Sequence, residues 1–451
     1  MGKLFGTDGI RGIANAELTC ELALAVGRAA AAVLTDSSRK RPTFVIGSDT
    51  RASSDMLCAS LVAGLCSIGA DVIQLGVVPT PAVAFLVGKY KADAGIMISA
   101  SHNPAEFNGI KIFGGNGLKL PDALEECIEE LVLNCDLWHK LPVGSEVGRL
   151  SAKESAAADY AEHIARSSYY SLGGLNIAVD CANGAASTTA RLIFERLGAN
   201  ATILCDDPDG SNINRSCGST HTQALAKYVT EHGLDLGVAF DGDADRCFCV
   251  DENGDLIDGD VIMAICALDM KRRGRLAKNT LVGTIMSNFG LAKFCEENDI
   301  RFITTTVGDR YVLEKILEDD LSFGGEQSGH IIFRDLATTG DGQLTAVQLL
   351  SIVKHSGKKL SELATVMTKY PQITVNIKAS AKGKTAFNTD KEIAAKIEDA
   401  KKMLGKDGRI VTRPSGTEPL IRVMVEGMDT EKIERIAADV AAVIKARVGD
   451  E

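Results

Sequence analysis

Residues 176–179 read NIAV, and a small polar turn, DCANGA, follows at residues 180–185. A helical pattern over Ser187–Leu197 leads to a second apolar run, ATILC at residues 201–205. A third apolar run, LGVAF, occupies residues 236–240. Strands that alternate with helices in this way predict a sheet that carries helices on its faces.

The same order of apolar runs occurs in two further parts of the chain, once before this unit and once after it. The matching runs, in chain order, are Phe44–Ile46, Asp71–Leu75, Ala94–Ile98, Leu281–Ile285, Arg301–Thr305 and Leu321–Phe323. A helical pattern at Met56–Ile68 joins the first two of them. We therefore expect an α/β protein with three related αβ domains that contain mixed sheets.

Beyond residue 368 the pattern changes. A strand is predicted at Ile373–Ile377 and a helix at Asp390–Leu404, and GRIVTRPSGTEPLIRVMVEG at residues 408–427 predicts two strands around a polar loop. Asp429 is placed to cap a last helix. This predicts a smaller α+β C-terminal domain, and gives four domains with the boundaries 1–150, 151–252, 253–369 and 370–451. The segments Leu141–Leu150 and Asp251–Asp258 are predicted linkers.

Composition and charge exclude some classes of partner. The 451 residues include 49 Lys and Arg against 60 Asp and Glu, a net charge of −11, which argues against nucleic acid or an anionic membrane as the main partner. The N-terminus lacks the apolar region of a signal peptide. The twelve cysteines contain no C-x-x-C pair. We expect reduced, mostly buried thiols in a cytoplasmic protein.

The third strand of each repeat runs directly into a polar loop. These loops are SASHNP at Ser99–Pro104, DGDADR at Asp241–Arg246 and GEQSGH at Gly325–His330. Ligands of open α/β sheets bind beyond the carboxyl ends of the strands. Three copies that present loops from equivalent places indicate one composite site.

The DGDADR loop places Asp241, Asp243 and Asp245 at alternate positions, which share one face of an extended segment. Three close carboxylates repel one another unless a cation neutralises them, and oxygen ligands favour Mg²⁺. A calcium-binding EF-hand is disfavoured because Arg246 occupies the sixth position, where glycine is needed. An acidic, solvated turn stays open as an alternative.

The SASHNP loop offers serines beside His102. A Ser–His hydrolase is disfavoured, since adjacent residues rarely reach triad geometry and G-x-S-x-G is absent from the sequence. A serine that carries a phosphoryl group would complete the coordination of a metal on the three aspartates. A plain turn remains an alternative. Lys111 in NGIKIF is a candidate positive group or proton carrier, with a solvated lysine as the default interpretation.

Three other loops carry weaker signals. In GEQSGH, Glu326 and Ser328 have the spacing to bind neighbouring sugar hydroxyls. RPSGTEPLIR gathers guanidinium groups, hydroxyls and loop amides, which suit a phosphate dianion. In GTDGIRG, Arg11 is a candidate phosphate contact. A structural turn or strand connection is the alternative for each loop.

In chain order, the motifs FGTDGIRG, ISASHNP with NGIKIF, AFDGDADR, GEQSGHIIF with TTGDG, and RPSGTEPLIRVMVEG resemble the α-D-phosphohexomutase superfamily. The resemblance covers nearly the whole chain, and five ordered motifs are far more specific than one. It implies four domains around a central cleft. Ala244 stands where the family usually has glycine, and Ala105–Phe107 departs from the commoner sequence, but neither change replaces a functional side chain.

The resemblance also implies individual roles. Ser101 would carry the phosphoryl group and hold Mg²⁺ together with Asp241, Asp243 and Asp245. Sugar contacts are implied for Glu326 and Ser328. The implied substrate-phosphate set is Arg413, Ser415, Gly416, Thr417 and Arg422, with Arg246 also near the substrate. The implied catalytic support is Arg11, Lys111 and His330, of which Lys111 is favoured for proton transfer.

The implied activity interconverts glucosamine 6-phosphate and glucosamine 1-phosphate through a phosphoserine and a 1,6-bisphosphate, an isomerisation that supplies amino-sugar nucleotide precursors for the cell wall. The implied cofactors are Mg²⁺ and an activating bisphosphate of glucosamine or glucose. The expected partner is a small sugar phosphate, and a homodimer is left open. The alternatives are a phosphomannomutase or phosphoglucomutase of the same superfamily and a non-catalytic sugar-phosphate sensor, against which Ser101 and the three aspartates argue.

Overall fold

The computed structural model describes residues 4–6, 8–35, 41–134, 141–415 and 419–449. By the contacts between its residues the chain divides into two compact units. Unit 1 contains Met1–Thr284 and Ile303–Val366, and unit 2 contains Ile285–Phe302 and Met367–Glu451. The four domain boundaries predicted above stay a prediction.

The first sheet has seven strands in the order β1-β2-β6-β5-β3-β4-β7. Its strands are β1 Phe5–Gly6, β2 Gly9–Ile13, β3 Thr43–Ser48, β4 Asp71–Val77, β5 Ala94–Ile98, β6 Phe107–Gly114 and β7 Leu150–Ala152. Four helices accompany it: α1 Cys20–Leu34, α2 Ser53–Ser67, α3 Thr80–Tyr90 and α4 Asp122–Leu133. The central strands β4, β3 and β5 are parallel, whereas β6 runs antiparallel to β5. This sheet is therefore mixed, as predicted.

The second sheet has the order β12-β11-β10-β8-β9. Its region contains α5 Ala156–Ser167, β8 Asn176–Asp180, α6 Ala190–Arg196, β9 Asn200–Leu204, α7 Gln223–His232, β10 Leu236–Phe240, β11 Cys247–Asp251 and β12 Leu256–Ile257. The predicted linker at 251–258 is instead an antiparallel hairpin of β11 and β12. Asp251 Oδ1 closes that hairpin by accepting hydrogen bonds from the backbone N–H groups of Asn253 and Asp255, each at 2.9 Å.

The third sheet has the order β14-β13-β15-β16. The elements that follow the hairpin are α8 Gly259–Arg272, β13 Thr280–Thr284, α9 Phe289–Glu297, β14 Arg301–Thr305, α10 Asp309–Glu318, β15 Phe323–Gly325, β16 Ile331–Phe333, α11 Gly342–Ser356 and α12 Leu360–Ala364. The strand predicted at Leu321–Phe323 begins two residues later, and Leu321 packs with α10 residues in a separate core cluster.

The C-terminal sheet has three antiparallel strands in the order β17-β19-β18. Its elements are β17 Gln372–Lys378, α13 Ala381–Phe387, α14 Lys391–Leu404, β18 Gly408–Pro414, β19 Leu420–Gly427 and α15 Thr430–Val448. Asp429 caps α15 by accepting a hydrogen bond from the Lys432 N–H, as predicted. The buried face of α15 packs against this sheet, and together they form a hydrophobic core separate from those of the other sheets. The fold is thus three αβ domains with mixed sheets plus a smaller α+β domain.

None of the helices among the described residues has the length and apolar character required to cross a bilayer.

Candidate active site

Ser101 lies in the loop between β5 and β6, and its side chain points at the aspartate loop. The residue is 1% exposed, and its φ of 51° lies in the left-handed region, which is strained for a residue with a side chain. Its Oγ donates a hydrogen bond to Asp241 Oδ2 at 2.5 Å, and its backbone N–H donates to Ser99 Oγ at 2.9 Å. The two loops that the sequence singled out therefore meet at one hydroxyl group.

Arg51 fixes the backbone of the serine loop through hydrogen bonds, a role that the sequence motifs did not reveal. Its guanidinium group is wholly buried and ion-paired with Asp49 at 2.8 Å. The same group donates hydrogen bonds to four backbone carbonyls, those of Ser101, Asn103, Pro104 and Phe107. Because these bonds fix the carbonyls of one loop, Arg51 sets the position of the serine. The polar GSDTR that ends β3 is the only sequence signal for it.

Asn214 holds the serine loop from the second sheet. Its side-chain amide donates hydrogen bonds to the carbonyl oxygens of Ser101 at 2.9 Å and Asn103 at 3.1 Å. Asn214 is buried and comes from the long loop between β9 and α7. Sequence analysis had no signal for this contact because the partners are more than 100 residues apart.

The aspartate loop follows β10, and its three carboxylates converge as predicted. Asp241, Asp243 and Asp245 are at most 4% exposed, and one oxygen from each lies within 4.8 Å of the others. Gly242 allows this approach, because a Cβ there would lie 2.6 Å from the Ser101 carbonyl oxygen. Any larger residue would push the serine and aspartate loops apart.

The electrostatics of this cluster favour a cation. Burial, with the charges of Asp245 and Asp243, raises the pKa of Asp241 well above its ordinary value. Asp243 Oδ1 and Asp245 Oδ1 are buried and accept no hydrogen bond. Carboxylate oxygens that lack donors are the ligands that a hard divalent cation prefers. The residues therefore fit Mg²⁺.

Lys111, on β6, lies among carboxylates rather than in solvent. It is 2% exposed, and its Nζ is 2.8 Å from Asp243 Oδ2, 3.1 Å from Asp8 Oδ2 and 3.5 Å from Asp245 Oδ2. Burial alone would lower its pKa, but the attraction of these three groups outweighs burial and raises it. This arrangement favours Lys111 as a fixed positive charge over the proton-transfer role suggested by the sequence.

A chain of charges links the first and third sheets around this centre. Asp8 contacts Arg11, Lys111 and Lys119, and Lys119 in turn contacts Asp309 at the start of α10. His330 Nε2 lies 3.4 Å from Asp309 Oδ2. Gly340 makes room for that ring, since a Cβ there would lie 2.3 Å from it. The sequence indicated Arg11 and His330 but not Lys119 or Asp309, which join them.

The GEQSGH loop lies between β15 and β16. Glu326 Oε1 accepts a hydrogen bond from the Gly308 N–H at 3.0 Å, and Ser328 Oγ is buried without a hydrogen-bond partner.

Two other groups near the aspartate loop have shifted pKa values. Burial alone would lower the pKa of Arg246, but the negative charges of Asp241, Asp245 and Glu326 outweigh burial and raise it. Burial, with Arg246 and Arg11 nearby, lowers the pKa of His102 to about 4, so that this imidazole is neutral at pH 7.

In unit 2, two arginines face each other across neighbouring strands. Arg413 on β18 pairs directly with Arg422 on β19, and burial with this second positive charge lowers the pKa of Arg413. Lys384 Nζ donates a hydrogen bond to the Ser415 carbonyl at 2.7 Å, a contact missed by sequence analysis. Like charges directly opposite are unfavourable unless an anion offsets them. The predicted Gly416 and Thr417 lie outside the described residues.

Known proteins resemble this chain along its whole length. Sequence profiles of phosphoglucomutase/phosphomannomutase match it at residues 2–137 (alpha/beta/alpha domain I), 158–254 (domain II), 258–370 (domain III) and 375–443 (C-terminal domain). A phosphoglucosamine mutase from Acetivibrio thermocellus is 52% identical over 449 residues, which span 100% of both chains.

Two solved structures share the fold. A phosphoglucomutase/phosphomannomutase family protein from Burkholderia thailandensis is similar with a TM-score of 0.83 and 24% identity, over 98% of this chain and 97% of that one. An N-acetylphosphoglucosamine mutase from Aspergillus fumigatus, in complex with GlcNAc-6P and magnesium, gives a TM-score of 0.66 and 18% identity, over 99% and 96%.

Proposed function

The chain belongs to the phosphoglucomutase/phosphomannomutase family, and from that premise we propose how its loops interconvert glucosamine 6-phosphate and glucosamine 1-phosphate. The observation that carries the proposal is the 2.5 Å hydrogen bond from Ser101 Oγ to Asp241, within a buried cluster of three aspartates. A hydroxyl that carries a phosphoryl group at this position lies against a site for a divalent cation. That juxtaposition suits phosphoryl transfer.

Asp241, Asp243 and Asp245, together with a phosphoryl group on Ser101, would hold Mg²⁺. A bound Mg²⁺ would supply positive charge to offset the negative charge on the oxygens of the transferring group. Lys111 adds a fixed positive charge beside Asp243 and Asp245. Arg246, whose backbone N–H donates to Asp241 Oδ1 at 3.2 Å, holds the loop closed.

The reaction consists of two transfers through Ser101. In the first, O1 of glucosamine 6-phosphate gives up its proton and bonds to phosphorus, while the bond between Ser101 Oγ and phosphorus breaks and Oγ takes up a proton; the product is the 1,6-bisphosphate. In the second, Ser101 Oγ gives up its proton and bonds to the 6-phosphorus of the reoriented intermediate, while O6 leaves and takes up a proton, which gives glucosamine 1-phosphate. Apart from the bond that Ser101 Oγ makes to phosphorus, the protein supplies alignment and charge.

The remaining loops bind the substrate. Glu326 and Ser328 contact the sugar hydroxyls, and the unpartnered Ser328 Oγ is free to do so. Arg413, Arg422 and Ser415, with Gly416 and Thr417, bind the phosphate that does not react. Support comes from the like-charge pair of Arg413 and Arg422, which a dianion would stabilise. Arg11 pairs with Asp8 and the His330 ring lies beside Asp309, so both side chains border the same cluster of charged groups.

The experiment compares glucosamine, glucose and mannose phosphates as substrates, with Mg²⁺ and catalytic 1,6-bisphosphate, for the wild type and for Ser101→Ala. We expect the highest kcat/KM with glucosamine phosphate, and a loss of turnover in Ser101→Ala with unchanged thermal unfolding. Equal kcat/KM for glucose and glucosamine phosphates would overturn the substrate assignment. Full activity of Ser101→Ala would overturn the mechanism.

A cytoplasmic location and a homodimer remain predictions from the sequence. Sedimentation velocity of the purified chain tests the second of them.

A further inference from the structure

Two cysteines lie side by side in loops next to the second sheet. Cys205 directly follows β9, and Cys217 lies in the loop that leads to α7. Their Sγ atoms lie within 4.8 Å of each other and of an Asp180 carboxylate oxygen. Cys217 is 3% exposed, whereas Cys205 is partly open to solvent. The pair is therefore adjacent, and one member is accessible to a small reagent.

The surroundings of the pair favour thiol chemistry over metal binding. Asp180 already accepts backbone hydrogen bonds on both oxygens, from Ala182 to Oδ1 and from Gly218 to Oδ2, each at 2.8 Å. Its carboxylate is thus engaged in fixing the loop. Asn183 Nδ2 donates to Cys217 Sγ at 3.7 Å, and a hydrogen bond from Cys205 lowers the pKa of Cys217. Both contacts stabilise the thiolate of Cys217, the form that reacts with oxidants. The same hydrogen bond, with burial and Asp180, raises the pKa of Cys205, so Cys217 supplies the thiolate and Cys205 the neighbouring thiol.

Cys181 and Cys247 differ from Cys217 in the direction of their pKa shift. Burial raises the pKa of Cys181 and that of Cys247 well above the ordinary thiol value. Cys247 and Cys249 are 0% exposed within β11, with Sγ atoms 3.9 Å apart.

The backbone of Cys205 has an uncommon conformation. Its φ is 50°, in the left-handed region, and its carbonyl accepts a 2.7 Å hydrogen bond from the Asn183 N–H. The backbone thus holds Cys205 in a strained position beside its partner.

The loop between the two cysteines contacts the serine loop. Asn214, three residues before Cys217, donates the two hydrogen bonds to the carbonyls of Ser101 and Asn103. The Gly210 carbonyl of the same loop accepts a hydrogen bond from the Ala52 N–H at 2.9 Å, beside Arg51. A change in the spacing of Cys205 and Cys217 therefore moves groups that position Ser101.

We propose that Cys205 and Cys217 form a disulfide on exposure to a hydroperoxide, and that this bond shifts Asn214 and thereby slows phosphoryl transfer at Ser101. Both S–H bonds break and one S–S bond forms, while the two protons and two electrons cleave the O–O bond of the hydroperoxide to give water and an alcohol. A second molecule of water takes the place of the alcohol when the oxidant is hydrogen peroxide. The effect on turnover rests on the proposed function, whereas the disulfide itself does not.

The physical reason for slower turnover is the length of the new bond. Two sulfur atoms in a disulfide are about 2.05 Å apart, well inside the contact distance of two thiols. Closing that gap draws the segment before Cys217 toward β9. Misplacement of a reacting group by about 1 Å costs up to about 100-fold in rate, so a small displacement of the Ser101 loop suffices.

The test treats the full-length enzyme with hydrogen peroxide, maps its peptides without reduction, and measures kcat before and after dithiothreitol. We expect a peptide that links Cys205 to Cys217, a fall in kcat of at least about tenfold, and recovery on reduction. Cys205→Ser should keep its activity under the same treatment. Cys127→Ser, which removes the exposed cysteine of α4, should lose activity as the wild type does.

Each part of this experiment has a result that would overturn the proposed Cys205–Cys217 disulfide or its effect on turnover. Absence of the Cys205–Cys217 peptide from inactivated wild type would overturn it without reliance on any variant. So would inactivation of Cys205→Ser as fast as the wild type, or a linked peptide with undiminished kcat. Retention of one equivalent of Zn²⁺ by the dialysed enzyme, released on treatment with a thiol reagent, would identify a metal site instead. Failure of the sugar-phosphate assay in the untreated enzyme concerns the proposed function alone.

Discussion

At the scale of single residues, the position of Ser101 depends on side chains that never touch the substrate. Asn214→Ala removes two hydrogen bonds to the serine loop without a change in the substrate contacts. We expect kcat to fall about tenfold with little change in KM, because only the alignment of Ser101 is lost. The control is Ser211→Ala, an exposed residue that bonds within its own turn. A rise in KM at constant kcat would contradict this role for Asn214.

The proposed metal site at the three aspartates can be tested without a measurement of turnover. Because their carboxylates repel one another when no cation is present, Mg²⁺ should raise the Tm of the wild type as it binds the folded state. For Asp243→Asn, the Mg²⁺ concentration that gives half of this shift should rise about tenfold or more. Asp122→Asn, an exposed residue on α4, serves as the matched control. An equal response of all three proteins would contradict the metal site.

At the scale of elements, an ion pair between α3 and α5 links stability to pH. Hydrogen bonds from Lys89 Nζ at 2.8 Å and Tyr90 OH at 2.6 Å lower the pKa of Asp159 to about 2. A lowered carboxyl pKa stabilises the fold above the unfolded value of 3.8, and this stability is lost as the pH falls toward about 2.

We therefore expect Asp159→Asn to lower the free energy of unfolding by about 1 kcal/mol at pH 7, the size of a good partly exposed pair. The difference from wild type should shrink as the pH falls from 5 to about 2.5, measured by urea unfolding. Glu162→Gln on the same helix, whose partner Arg166 is exposed, provides the control. A difference that grows with acidity would contradict the assignment.

A second prediction at this scale concerns phosphate binding at the strand pair β18–β19. Arg413 and Arg422 lie directly across from each other, and the proposed function assigns a phosphate group to this pair. Inorganic phosphate should therefore raise the Tm of the wild type, and Arg413→Gln should lose most of that shift and bind substrate with a KM raised about tenfold or more. Lys378→Gln, exposed on β17 of the same sheet, should behave as the wild type does. Phosphate stabilisation that survives in Arg413→Gln would refute the phosphate site.

At the scale of the whole molecule, the sequence revealed short-range features better than long-range ones. Periodicity located the strands of the repeats, and alternate spacing in DGDADR predicted the convergence of Asp241, Asp243 and Asp245. Arg51, Asn214 and the Lys119–Asp309 contact were missed because each acts on residues far away in the chain. Only the register and packing of the sheets bring these groups together.

The charge of the whole chain is a poor guide to its site. A net charge of −11 disfavours polyanionic partners, yet the substrate is itself an anion. The proposed function assigns its binding to local cations and a metal, whose charges act over a few ångströms and are not reflected in the net charge of the chain. Composition therefore constrains macromolecular partners, while loop geometry decides the small-molecule ligand.

The most direct test of the account is a single-turnover experiment on enzyme that carries a labelled phosphoryl group. Phosphorylated wild type is mixed with glucosamine 6-phosphate and Mg²⁺ and quenched at successive times. The account predicts that label leaves Ser101 and enters a sugar 1,6-bisphosphate at least as fast as kcat. Label that stays on Ser101 while glucosamine 1-phosphate forms, or that leaves only as inorganic phosphate, would contradict it.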